Sequence, residues 1–204
     1  MGRRATGSKQ GERPVNKNDR VLTLEEIRNI PADHYPLICY CDGGSLFSLL
    51  IRLFDKSDRS HMQALIGPDE IASQGWTFTS FPVSHMAKYA TKFIWNPDWT
   101  VSERALMIAS VRMRLALPWW KRLYDVPGVI GEALKITWLQ LPWFDFCSEA
   151  MANRMLGLVD PKFRQWLLQH PSPTPREINQ WTKAHNPPYK VYGWYIPDDD
   201  PARV

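Results

Sequence analysis

Three times in 204 residues a threonine is followed three places later by a glutamate: Thr23 and Glu26, Thr100 and Glu103, Thr174 and Glu177. In this spacing the threonine hydroxyl takes the backbone N–H of the third helical residue, and the glutamate reaches back to the threonine N–H. Each pair therefore fixes a helix start. The first opens a short helix that Pro31 ends. The second opens a helix through about Leu117, with Leu106, Ile108, Ala109, Val111, Met113 and Leu115 as its apolar positions. The third adds Pro175 at the first helical position.

Between these starts lie short runs rich in β-branched and aromatic residues: "YPLICYC", "SHMQALIG", "TKFIWN" and "YKVYGWYIP". They read as strands. Gly67-Pro68-Asp69-Glu70 makes a turn, after which "IASQGWTFTSFP" returns as an antiparallel partner. Asp42-Gly43-Gly44 is a second turn, leading into "SLFSLLIRLFDK", an amphipathic helix from near Ser45. Residues 118–142 read as irregular, with one short helix near 128–136. A further helix runs from near Asp145 to Leu156, with Gly157 as the residue just past its end. The order is strand, helix, several strands, helix, helix, strand, which predicts an α+β fold with an antiparallel sheet.

A hydrophobic share of 44% is enough for one core. The chain divides into a basic arm at 1–20 that reads as disordered, a single domain at 21–197, and an acidic, polar tail at 198–204. The net charge is +4, and the arm holds Arg3, Arg4, Lys9, Arg13, Lys17 and Arg20 against Glu12 and Asp19. The basicity is thus local. It restricts any nucleic-acid contact to the arm, where a solvated tail is the plainer expectation. No apolar leader or membrane-length run is visible, which predicts a cytoplasmic protein, or a virion-associated one if phage-encoded.

Three cysteines make no disulfide framework. Cys39 and Cys41 share one face of a strand and read as small apolar residues; no metal site and no cofactor is expected. Cys147 differs. It opens a helix, where free N–H groups and the helix dipole lower a thiol pKa and the thiolate is the nucleophile. On its own it is equally a buried structural thiol. A nucleophilic cysteine needs a base, and His61, first residue of an apolar strand, is the histidine on the most rigid mount. His34, His85, His170 and His185 lie in loops, turns or near proline-rich links. Glu149 is a first-turn carboxylate favoured by the helix dipole. Trp119, Trp120, Trp138 and Trp143 flank the cysteine segment and either pack in a core or line a groove.

These pieces together resemble a known family. "GGSLFSLLIRLFDKSDRSHMQALIG", "LYDVPGVIGEAL", "FCSEAMANRMLGL" and "PTPREI" stand in the order of the motifs of the permuted papain-fold, NlpC-like cysteine peptidases, amidases and acyltransferases, related to lecithin:retinol acyltransferase. The resemblance covers roughly residues 35–180. It implies a circularly permuted papain-like fold in which the histidine strand precedes the cysteine helix, with Cys147 as nucleophile and His61 as base. It puts a third, orienting group on the next strand, where this chain offers Ser73 and Gln74. With Pro68-Asp69 as a two-residue turn, position 61 faces position 76 and Gln74 shares that face; Ser73 requires a bulge. Gln74 is therefore the expected partner.

The implied activity is thiol hydrolysis, most naturally of cell-wall peptide amides, with a peptide or lipid acyl group as substrate and a virion or cell wall as setting. A lipid ester or thioester hydrolase or acyltransferase is the alternative within the family. From another class, a catalytically weak papain-like structural protein, for example of a phage virion, is the second alternative.

Overall fold

The computed structural model describes residues 20–41, 61–123, 147–171, 173–185 and 188–197. The expected helix from Ser45, the short helix near 128–136, Trp138, Trp143, nearly all of the basic arm and the C-terminal tail lie outside the described residues.

The fold is α+β. After α1 (Leu24–Arg28) come β1 (Leu37–Cys41), β2 (His61–Gly67), β3 (Glu70–Gln74), β4 (Phe78–Phe81) and β5 (Thr91–Trp95). Then follow α2 (Val101–Ala116), α3 (Cys147–Met151), α4 (Pro161–Leu167), α5 (Pro175–Ala184) and β6 (Lys190–Tyr195). The strands form one sheet in the order β4-β3-β2-β1-β5-β6, with every neighbouring pair antiparallel. The single return strand expected over "IASQGWTFTSFP" is two strands, β3 and β4, parted by bends at Gly75 and Trp76.

Alternation along the strands builds two cores. Ile38, Tyr40, Met62, Ala64, Ile66 and Ala72 meet Met107 and Val111 of α2, Ala150 and Met151 of α3, Phe163 of α4 and Ile178 of α5. On the other face Leu37, Cys39, Leu65, Ile71 and Phe93 meet Ile27 of α1 with Val83 and Met86 of the 3-10 turn at Val83–Lys88. β1 is buried at all five positions because both faces are covered.

The three threonine starts form as expected. Each threonine accepts from the N–H of its glutamate, and each glutamate accepts from the threonine N–H. At α5 these bonds are 3.2 and 2.8 Å. Thr174→Ala removes the side-chain acceptor and leaves the Glu177 N–H without it. Stability should fall by about 1 kcal/mol, read from urea unfolding midpoints at constant slope. An unchanged midpoint would show that the cap adds nothing.

Three local expectations change. The buried stripe of α2 is Arg104, Met107, Ser110, Val111 and Arg114, whereas Leu106 and Met113 are exposed. Apolar spacing misled because two arginines join the inner face. Arg104 does so by giving its Nε to the Trp99 carbonyl at 2.9 Å and its Nη2 to the Asn96 carbonyl at 3.2 Å. Gly157 does not end its helix: with φ of −64° it lies inside a helical run that continues from α3 through a π-turn at Ala152–Leu156 to Val159. Its role is close packing, since a Cβ there would stand 3.0 Å from Leu167 Cδ1 and 3.1 Å from the Ala152 carbonyl oxygen. And α4 was not expected, although Asp160 and Pro161 are a cap and first-turn pair. The Asp160 carboxylate accepts from the N–H groups of Lys162 and Phe163.

Candidate functional site

The site centres on the first residue of β2. Burial draws the His61 imidazole down from its ordinary value of 6.5 to about 4, because charging the ring would cost its lost hydration. The ring is therefore neutral at pH 7.

Its orienting partner is Ser73, not Gln74. His61 Nε2 and Ser73 Oγ are hydrogen-bonded at 2.8 Å. The cause is a register shift. Gly67 pairs with Glu70, as a two-residue turn requires, but beyond an irregularity between Leu65 and Gly67 the pairs are Leu65 with Ile71, Ala64 with Ala72 and Gln63 with Ser73. One extra residue on β2 moves the β3 partners by one place. A one-place move exchanges faces. Ser73 thereby joins His61 and Gln63 on one face, and Gln74 turns to the other with Ala72. There the Gln74 Nε2 donates to the Arg122 carbonyl at 3.0 Å, and its Oε1 is buried without a hydrogen bond.

Sequence reasoning missed Gln63. Its Nε2 donates to Ser73 Oγ at 3.3 Å, and both residues are buried. The signal was present: an amide at the second place after His61 on an apolar strand shares its face.

Cys147 is the first described residue of α3, is fully buried, and is not in a disulfide. Its helix packs directly against β2 and β3. The apolar contacts of that helix are with Met62, Ala64 and Ala72, the face opposite His61, Gln63 and Ser73. The structure thus bonds His61 to Ser73 on one face of β2 and β3 and sets the cysteine helix on the same two strands.

The other candidates are placed plainly. Cys39 and Cys41 are buried and in no disulfide, and desolvation pushes Cys39 up to about 12, which keeps it protonated and unreactive. His170 and His185 stack on Trp166 and Trp181 at 4.4 and 4.0 Å. His85 stacks on Phe81, and His34 packs against Trp95 and Tyr192. Trp119 and Trp120 are 60% and 54% exposed, so they are not core residues. Among the described residues no group of three or more His, Cys, Asp or Glu side chains could hold a metal, and no helix is long and apolar enough to cross a membrane.

No protein-family model matches the chain, and a comparison with curated proteins finds no match.

Proposed function

We propose that this protein is a thiol hydrolase of permuted papain-like architecture, a cysteine peptidase or amidase acting on peptide amides of the kind found in cell walls. The observation that carries the proposal is the 2.8 Å bond between His61 Nε2 and Ser73 Oγ on the two strands against which the Cys147 helix packs. Engagement of Nε2 leaves Nδ1 as the nitrogen available to a thiol.

The scheme requires the Cys147 Sγ and the His61 ring to meet around the end of β2, where His61 lies, within hydrogen-bond reach. The thiol proton passes to His61, and the sulfur attacks the amide carbonyl carbon. Backbone N–H groups of the Cys147 helix stabilise the oxyanion. On collapse the C–N bond breaks and the amine leaves with the proton from His61. Water then adds to the thioester, giving its proton to His61, and the carboxylic acid departs as the thiol re-forms. An ester or thioester of a lipid would follow the same steps with an alcohol or thiol leaving group.

A second possibility has its own observation. Complete burial of Cys147, with His61 held neutral by its own burial, also fits a catalytically weak structural protein, for example of a virion. Iodoacetamide labelling at pH 8 separates the two. The hydrolase predicts modification of Cys147 ahead of Cys39 and Cys41, slowed in His61→Gln, and hydrolysis of peptidoglycan fragments that Cys147→Ala abolishes. Labelling of Cys147 only in denaturant, with no hydrolysis, would leave the structural role.

A further inference from the structure

The Gln63, Ser73, His61 chain has a direction. A serine hydroxyl carries one proton and two acceptor sites, and a neutral imidazole carries one N–H and one lone pair. The Gln63 amide nitrogen is a donor only, so its 3.3 Å bond to Ser73 uses one acceptor site of Oγ. Ser73 is 3% exposed, so its proton needs an acceptor within the protein. Among the described residues His61 Nε2, at 2.8 Å, is the acceptor bonded to it. Were Nε2 to carry the ring proton instead, Ser73 would accept twice and its own proton would be stranded in a buried site. With the Gln63 amide nitrogen turned to Ser73, satisfying all three groups leaves one arrangement: Gln63 donates to Ser73, Ser73 donates to Nε2, and the ring proton sits on Nδ1.

We propose that Gln63 is a positioning residue that, acting through Ser73, holds His61 in the Nδ1–H tautomer. The consequence for chemistry rests on the thiol-hydrolase proposal above. At rest Nδ1 already holds a proton and does not take one from Cys147. The base becomes competent when the Ser73 hydroxyl turns away and the ring proton moves to Nε2, which then donates to Ser73 Oγ. Gln63 thereby opposes idle activation of the thiol.

The test is the ring 15N spectrum of the full chain at pH 8, since protonated and unprotonated imidazole nitrogens resonate far apart and the His61 signals are identified by their loss in His61→Gln. The wild-type protein should show the proton on Nδ1. Gln63→Glu replaces the donor with an acceptor. Ser73 then donates to the carboxylate and accepts from the ring, and the proton should appear on Nε2. Ser73→Ala, a small change that keeps the strand, should lose the single-tautomer pattern and show exchange between both forms. A wild-type proton on Nε2, or a pattern unmoved in both variants, overturns the proposal. Failure of the hydrolase scheme shows separately, as Cys147 alkylation indifferent to His61→Gln, and leaves the tautomer result standing.

Discussion

The stability of the protein is expected to fall by about 3 kcal/mol between pH 6.5 and pH 4 through His61 alone, and His61→Gln should remove that part of the pH dependence. The ring titrates near 6.5 in an unfolded chain and near 4 in the fold. As pH falls below 6.5 the unfolded chain binds a proton at this residue first, which favours unfolding. The contribution is fully present above pH 6.5, shrinks through the interval, and is flat below about 4. The interval of about 2.5 units, at about 1.4 kcal/mol per unit, sets the magnitude. Glutamine keeps a carbonyl that can accept from Ser73, so the variant tests the charge without emptying the site. Urea unfolding of both proteins at several pH values is the measurement, and taking the difference cancels every other titrating group. Parallel stability curves would mean that the folded ring is as easily protonated as the free one.

That same shift bears on the chemistry. A resting thiolate–imidazolium pair requires a histidine with a raised pKa, held by the negative sulfur. Desolvation is the sole cause acting on His61, and it acts the other way. In the proposed hydrolase the base would therefore be neutral, and Cys147 reactivity should be sought at pH 8 rather than in the acid range where an ion pair would stand out.

Much of this was legible in the sequence, and the failures have local causes. The three threonine caps are written within four residues each and need no long-range context, so all three were found. His61 as the first residue of a strand followed from the change from polar to apolar residues. The choice between Ser73 and Gln74 turned on whether β2 carries an extra residue between Leu65 and Gly67, and the Gly67-Pro68 pair beside it reads as the turn that follows, not as a bulge. The inner stripe of α2 was read in part: Val111, Ile108 and Leu115 do pack inward, but burial of Arg104 depends on carbonyls of the loop before the helix, which side-chain hydropathy does not report. Gly157 has the composition of a helix end. Its actual constraint, the approach of Leu167, arises only once α4 has folded back.

Phe163 is where loss of a single side chain should cost most among the aromatic contacts. It is completely buried in the core that also holds Ala150, Met151, Met155 and Leu156 of the cysteine helix and its continuation. Its ring meets Trp181 edge-on at 4.8 Å and Trp166 at 5.2 Å, and Trp181 in turn meets Tyr189 at 5.6 Å. The phenylalanine thus ties α4 to α5 behind the helix that presents Cys147. Phe163→Ala removes the ring from a place whose neighbours are themselves large and held by one another, so the cavity cannot close. The expected loss is about 4 kcal/mol, transfer and cavity effects together. At this chain length that corresponds to a fall of about 10 °C in Tm. Phe163→Leu keeps most of the volume but none of the edge-on contact, and should cost about 1.5 kcal/mol. Thermal and urea unfolding of the two variants check the order as well as the size. Because the same core backs the cysteine helix, Phe163→Ala should also speed alkylation of Cys147 in the folded protein, whereas a loss below about 1 kcal/mol would show that α4 and α5 are not joined as described.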